Sequence, residues 1–148
     1  MKTKKINPCI EPRYREFPEI LFGKSCEDDM VYFDATHYLT QKGKISKDVI
    51  EVFEQKSKMF IAALCEVYEM SKEEIIVRDK ETGHLLIEES LALLFVAFID
   101  PGFAVYMLER MSEMLLTGLV LSDSAIAIII QERFTKDDVS KIFENSIN

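Results

Sequence analysis

The stretch GHLLIEESLALLFVAFIDPGFAVYMLERM, residues 83–111, decides the fold because its pattern changes from strand-like to helical. Its first residues complete IIVRDKETGHLLI (75–87), in which two apolar arms flank a turn that contains Gly83. This pattern predicts a β-hairpin. Residues 88–98 and 101–116 then carry apolar side chains at helical spacing, so both segments are predicted to be helices.

Local end signals fix the boundaries of the second of these helices. Asp100-Pro101 predicts its start, with Asp as N-cap and Pro at the first helical position, where a missing amide proton costs nothing. Thr117-Gly118 predicts its end, since glycine suits the left-handed residue that follows a helix.

Upstream, MVYFDAT (residues 30–36) predicts a short strand from its β-branched and aromatic content, and a helical turn follows at 37–39. A long helix is predicted at about 47–69, where Val49, Phe53, Phe60, Leu64 and Val67 recur at spacings that indicate one buried face. The polar gap at 54–58 interrupts this pattern. Either an exposed turn lies there, or two helices meet near Ser57.

The predicted fold class is therefore α+β, a small antiparallel sheet and hairpin packed on a predominantly helical bundle, with extra C-terminal helices. A helix is predicted from Ser122 or Asp123 to about Phe134, and a last short one follows near Thr135. The predicted organisation is an N-terminal arm (1–24), a central domain (25–118) and a helical extension (119–148) that packs on the same domain or on a partner subunit.

The predicted arm is irregular and basic. Prolines 8, 12 and 18 disfavour helix there, which indicates a loosely docked lead-in or a basic arm that touches a nucleic-acid groove. Its six basic and three acidic residues give a net charge of +3, whereas the whole chain of 148 residues has a net charge of −8. An acidic body repels a polyphosphate at long range, so DNA binding would need a local basic surface.

Composition places the chain among globular proteins, with 48% hydrophobic and 30% charged residues. The longest apolar run, LALLFVAFI (91–99), has about half the length that a bilayer span needs. Cys9, Cys26 and Cys65 form no CxxC pair and cannot all be bridged, which is typical of a reducing compartment. We therefore expect a cytoplasmic protein without a membrane partner.

Three motifs occur in a characteristic order: VYFDAT (31–36) followed by TQKGK, FIAALCEVY (60–68), and the stretch 83–111. Together they resemble the KilA-N domain of phage and bacterial regulators. The resemblance covers residues 25–116, about three fifths of the chain.

In that family a strand ends in an Asn-Ala-Thr-like motif, which is matched by residues 34–36 with Asp in place of Asn. A later Ala-x-Trp-hydrophobic-Ser/Asp-Pro-x-Phe junction is matched by FIDPGF (98–103), with Phe in place of Trp. The family's His-Pro pair falls on the two acidic residues 88–89. The resemblance implies an α+β, winged-helix-related fold that binds DNA without a metal or a cofactor.

Two functions follow as alternatives. The first is a duplex-DNA-binding regulator of phage or mobile-element type, which contacts phosphates through a lysine-rich loop and helix start and through a hairpin wing. The second is an acidic protein-interaction module, a DNA mimic or an inhibitor of a host protein, that keeps the fold without binding DNA. The candidate DNA-contacting residues are Lys42, Lys44, Lys47, Arg78, Lys80 and His84. Convergence of these bases on one face, with the acids elsewhere, would favour the first alternative.

No catalytic or metal site is predicted. A cysteine nucleophile needs a base within hydrogen-bond reach, and the spacing of Cys65, His37 and His84 indicates no such pair. No Cys or His pair has zinc-ligand spacing either, so we expect neither an enzyme nor a cofactor.

The segment SDSAIAIIIQERF (122–134) is apolar around most of a helix circumference. It either packs fully into its own domain or forms a self-complementary dimer contact. We predict a homodimer through Ile126, Ile129 and Ile130.

Overall fold

The computed structural model describes residues 2–44, 46–118, 126–128, 130–131 and 140–141, without the side chains of Ser46 and Lys47. The chain divides into two compact units, Met1–Val105 and Tyr106–Asn148. The predicted helix at 122–134 lies mostly outside the described residues, and the start of the last short helix, at Thr135, lies wholly outside them.

The described elements combine strands and helices, so the predicted α+β class is confirmed. The strands are β1 (Thr3–Lys4), β2 (Glu11–Pro12), β3 (Leu21–Lys24), β4 (Val31–Asp34), β5 (Ile76–Asp79) and β6 (Leu85–Glu88). The helices are α1 (Ala35–Gln41), α2 (Ser46–Lys56), α3 (Lys58–Tyr68), α4 (Lys72–Ile75), α5 (Glu89–Ile99) and α6 (Pro101–Thr117).

The predicted elements around residues 83–111 are present. β5 and β6 form the antiparallel hairpin, and Gly83 takes a φ of 70° in its turn. Asp100 begins α6 as predicted, since its carboxylate accepts hydrogen bonds from the amides of Gly102 and Phe103. Gly118, with a φ of 72°, follows the end of α6.

The sheet is larger than predicted and is not purely antiparallel. Its order is β1-β5-β6-β4-β3-β2, and β1 pairs with β5 in parallel. Three of the six strands come from residues 1–24, the segment predicted to be an irregular arm. Prolines exclude helix but not edge pairing, and Pro12 accordingly lies in β2, at the edge of the sheet.

The N-terminal segment is attached to the sheet on two sides. β1 pairs with β5, while the next residues bond to the end of β3, where the amide of Asn7 donates to the Lys24 carbonyl (3.0 Å). The amide of Cys26 donates to the Lys5 carbonyl (2.9 Å). This segment therefore links one edge of the sheet to a strand near the other edge.

Lys4 anchors β1 from the inside. Its side chain is 1% exposed, and its ammonium donates to Asp28 Oδ2 (2.7 Å) and to the Tyr32 hydroxyl (2.9 Å). The Tyr32 hydroxyl in turn donates to the carbonyl of Glu74 (2.7 Å). One buried cation thus connects β1, β4 and the segment that precedes β5.

Gly23 allows the N-terminal segment to lie close to β3. A Cβ atom at this position would lie 2.4 Å from the Asn7 carbonyl oxygen and 2.8 Å from Cys9 Sγ. Both distances are shorter than van der Waals contact, and the carbonyl belongs to backbone that is itself hydrogen-bonded. Glycine is therefore required at this position by packing.

An aromatic cluster fills the space between the sheet and the helices. Phe33 of β4 lies in edge contact with Tyr38 of α1, with ring centroids 5.5 Å apart. Phe53 of α2 contacts Phe95 of α5 in the same way at 5.1 Å. All four side chains are at most 1% exposed, so this cluster forms part of the core of the first unit.

We expect Gly23→Ala to lower the free energy of unfolding by about 2 kcal/mol, since a new methyl group must displace hydrogen-bonded backbone. Urea denaturation of both proteins measures this change. Gly102→Ala is the matched control, because its new Cβ would meet only the Asp100 carboxylate at 3.2 Å. The control should change stability by less than about 1 kcal/mol, and an equal loss in both variants would contradict the packing argument.

We expect Asp28 to make stability depend on acid pH. Burial alone raises the pKa of Asp28, but the hydrogen bond from Lys4 and the Met30 amide lower it more, so its folded pKa lies below its ordinary value. Its contribution is therefore complete above about pH 4 and is lost as the pH falls through the folded pKa. Asp28→Asn should lower the unfolding free energy by about 1–2 kcal/mol at pH 7 and flatten the decline towards pH 2, as measured by urea denaturation.

Asp29→Asn is the matched control for this prediction, because the neighbouring carboxylate is 98% exposed and pairs with the exposed Lys24. It should change the unfolding free energy by less than about 0.5 kcal/mol. An acid-pH decline that is equally steep in Asp28→Asn and in the wild type would show that Asp28 does not cause it.

Candidate functional site

The motif at residues 34–36 serves the fold directly. Asp34 caps α1, because its Oδ1 accepts a hydrogen bond from the His37 amide (2.9 Å). Its Oδ2 lies 2.8 Å from Nδ1 of His84, within hydrogen-bond distance. The Thr36 hydroxyl accepts from the Leu85 amide (2.8 Å). The motif therefore joins the start of α1 to the start of β6.

The acidic pair at the start of α5 is also used within the fold. Glu88 is 7% exposed and caps α5 by accepting a hydrogen bond from the Ser90 amide (2.8 Å). Burial raises the pKa of Glu88 although the bond to Ser90 opposes the shift. Glu89 forms an ion pair with Arg13. The start of α5 therefore carries two acidic residues and presents no basic side chain there to a phosphate group.

The predicted bases of the hairpin have partners close to them. The guanidinium of Arg78 donates to the Gly83 carbonyl (2.8 Å), which braces the turn. The Lys80 ammonium pairs with Glu27 Oε1 at 2.8 Å, and this hydrogen bond lowers the pKa of Glu27. His84 is held by Asp34, as described above.

The predicted bases of the lysine-rich loop lie at the other end of α1. Lys42 Nζ is 3.9 Å from Asp100 Oδ2, and Lys44 Nζ donates to the Ile99 carbonyl (3.3 Å). The side chain of Lys47 lies outside the described residues.

The structure therefore separates the predicted DNA-contacting residues into two groups. His84 binds the N-cap of α1 and Lys42 is its C-cap, and the seven residues between them span about 10 Å. An acid or a carbonyl faces each described base of the two groups. The predicted phosphate surface is thus interrupted by carboxylates.

Sequence reasoning misplaced the exposed face of α3. It predicted that Phe60 and Val67 continue the buried face that includes Phe53, and it left open whether two helices meet near Ser57. In the structure two helices do meet there, and α3 begins after Ser57. Val67 is 72% exposed, Phe60 is 45% exposed, and Met59 is 89% exposed. Of the apolar residues in this pattern, Phe53 is buried in the core, whereas Phe60 and Val67 are exposed.

The orientation of α3 follows from its buried residue. Ile61 is 3% exposed and is the one buried residue among the fully described residues of this helix. Successive helix residues differ by about 100°, so Met59, Ala63 and Val67 fall within about 80° of one another and opposite Ile61. We name this outward surface, formed by Met59, Phe60, Ala63 and Val67, the α3 face.

The second unit also exposes apolar side chains. On α6, Leu108 is 58%, Met111 is 47% and Leu115 is 81% exposed. Of the predicted dimer residues, Ile126 and Ile130 are each 41% exposed, and Ile129 lies outside the described residues. The homodimer stays a prediction.

The described residues form neither a metal-ion cluster nor a membrane-spanning helix. Among the described residues, no three His, Cys, Asp or Glu side chains are grouped so that they could hold a metal ion. Within the same part of the chain, every helix is too short or too polar to cross a membrane.

Comparisons with protein-family models, with curated proteins and with solved structures gave no match. The resemblance to the KilA-N domain therefore stays a prediction from sequence motifs.

We expect substitutions on the buried side of α3 to destabilise the protein and substitutions on its exposed side to leave stability nearly unchanged. Ile61→Ala should lower the unfolding free energy by about 2–4 kcal/mol, since it removes a buried side chain. Met59→Gln should change it by less than about 0.5 kcal/mol, because Met59 already contacts water. Urea denaturation measures both values. A loss above about 2 kcal/mol in Met59→Gln would mean that the α3 face is buried within the free chain.

Proposed function

We propose that the protein is an acidic protein-interaction module that binds a partner protein through the α3 face. The observation that carries this proposal is the polarity of α3, whose outward side exposes the apolar side chains of Met59 and Val67 while Ile61 is buried on the opposite side. A surface helix of a monomer normally directs its polar side to water. Contiguous exposed apolar residues are instead typical of a surface that another protein covers.

The energetic reason lies in the size of these side chains. Met59 and Val67 keep most of their surface in contact with water in the free chain. Removing such a side chain from water contributes about 1.5–3 kcal/mol, so a few of them can act as the anchors of an interface.

Charge defines the chemistry of the partner. Residues 46–75, which include the α3 face, contain four lysines and seven acidic residues, a net charge of −3. Glu66 and Glu69 are exposed near the C-terminal end of the α3 face. An amphipathic helix with an apolar stripe and flanking lysines or arginines would complement both features.

A DNA-binding regulator stays the alternative prediction. Surface ion pairs contribute little energy, so Lys42 and Lys80 could exchange carboxylate for phosphate. The carboxylates of Asp100 and Glu27 would still repel the backbone at both places. The separated and paired bases therefore favour the protein-interaction function over DNA binding.

A designed peptide tests the proposal directly. We expect a fluorescein-labelled, 18-residue amphipathic helix of leucine and lysine to bind the wild-type chain with micromolar affinity, as measured by fluorescence anisotropy. Met59→Gln combined with Val67→Gln should weaken binding at least tenfold, because the double variant removes two anchors without changing charge. Ile10→Gln is the matched control, since Ile10 is 76% exposed but lies outside α3.

Two results would contradict this function. One is a peptide affinity that the double variant leaves unchanged or that Ile10→Gln reduces equally. The other is micromolar or tighter binding of a 20-base-pair duplex at 50 mM salt, combined with a salt dependence that Lys42→Ala with Lys44→Ala flattens by about two units. The second result would favour the DNA-binding regulator.

A further inference from the structure

Among the described helices, α6 carries the largest set of exposed apolar side chains. Leu108 is 58%, Leu115 is 81% and Leu116 is 85% exposed, and Met111 is 47% exposed. All four residues belong to the second unit. Contiguous exposed apolar residues are typical of a surface that another molecule covers, so their arrangement on the helix matters.

These side chains form one continuous stripe. Residues 108, 111 and 115 are separated by three and four positions, which is the spacing that aligns side chains along one side of a helix. With about 100° between successive residues, Met111 and Leu115 lie within about 60° of Leu108, and Leu116 lies at about 80°. Ser112, which is small and uncharged, falls among them. We name the surface formed by Leu108, Met111, Ser112, Leu115 and Leu116 the α6 stripe.

No charged residue interrupts the α6 stripe, and α6 is described along its whole length. The charged residues of this helix are Glu109, Arg110 and Glu113. They lie between about 100° and 160° from Leu108, on the other side of the helix. Arg110 and Glu113 also form an ion pair with each other at 3.2 Å. The α6 stripe is therefore uncharged, whereas acidic residues flank the α3 face.

Charge narrows the choice of what covers this stripe. A partner that is selected by charge needs complementary groups beside the contact, and the α6 stripe supplies none. An anionic lipid surface attracts helices whose polar side is rich in lysine and arginine, but the polar side of α6 has a net charge of −1. A second copy would present the same uncharged side chains. Two chains of net charge −8 could therefore touch there without bringing like charges into contact.

We propose that the α6 stripe binds the α6 stripe of a second copy in an antiparallel helix pair. Two-fold symmetry brings Leu108 of each copy opposite Leu115 of the other, with Met111 near the axis. The antiparallel direction separates the N-terminal ends of the two helices. Each of these ends is joined to a first unit, whose 14 basic and 19 acidic residues give a net charge of −5, so separation reduces repulsion. This contact does not depend on the function proposed for the α3 face, and it differs from the contact predicted at 122–134.

Solution mass tests the contact directly. Sedimentation equilibrium of the full chain should give twice the 17.1 kDa of one copy, with a micromolar dissociation constant. Leu108→Gln combined with Leu115→Gln should weaken dimerisation at least tenfold, because it removes the central apolar side chains without changing charge. Met59→Gln combined with Val67→Gln, on the α3 face, is the matched control. It also replaces two exposed apolar side chains and should leave the dissociation constant unchanged.

Two charged variants test the antiparallel arrangement. Leu108→Lys alone and Leu115→Glu alone should each be monomeric at concentrations where the wild type is dimeric, because each places a charge against a leucine at both contacts. An equal mixture should recover the dimer, since the introduced ammonium then faces the introduced carboxylate and the two native leucines meet at the other contact. A parallel pair would place both charges against leucines. Recovery in the mixture also shows that both variants fold.

The proposal is overturned if the wild-type chain is monomeric at about 100 µM, where a micromolar dimer is mostly assembled. That measurement uses the unaltered chain and leaves the peptide binding expected of the α3 face intact. The proposal is also overturned if the dimer survives Leu108→Gln with Leu115→Gln, or if the α3 control weakens it equally. A mixture of the two charged variants that stays monomeric overturns it as well.

Discussion

The ammonium group of Lys4 is the interaction on which the rest of the first unit depends. Removing a cation from water costs several kcal/mol, and here Asp28 and the Tyr32 hydroxyl offset that cost at 2.7 and 2.9 Å. Asp28 lies between β3 and β4 and Tyr32 lies in β4, so these bonds favour the observed register of β1 on β5, which places Lys4 opposite Asp79. That register positions the N-terminal segment beside the hairpin tip, and a cavity forms between them.

Features with local causes could be predicted from the sequence. The hairpin, the capping of α6 by Asp100 and the glycine after its end depend on residues within a few positions of one another. The strands of the N-terminal segment could not be predicted in this way, because their partners lie far along the chain. The pairing of β1 with β5 joins Thr3 to Arg78, and its buried lysine would be expected on a surface from sequence alone.

The α3 face shows what periodicity can and cannot establish. Apolar residues at helical spacing over 49–67 predicted one buried face, but Phe53 is fully buried whereas Val67 is 72% exposed. The new helix that begins after Ser57 turns Ile61 rather than Val67 towards the core. The polar gap at 54–58 had already indicated that two helices could meet near Ser57. The side of the second helix that faces the core, however, depends on how the helices pack, which the sequence pattern does not show.

The candidate bases illustrate the same limit for charge. Sequence identifies Lys80 and His84 at a hairpin tip, where a winged-helix-related domain would place cations against phosphate. In the structure Glu27 and Asp34 stand beside them, and Asp79 and Glu81 line the neighbouring cavity. Because attraction between unit charges weakens with distance, the nearest groups decide what a surface can bind, and here they are carboxylates. The location that would attract an anion in a basic domain is therefore surrounded by carboxylates in this one.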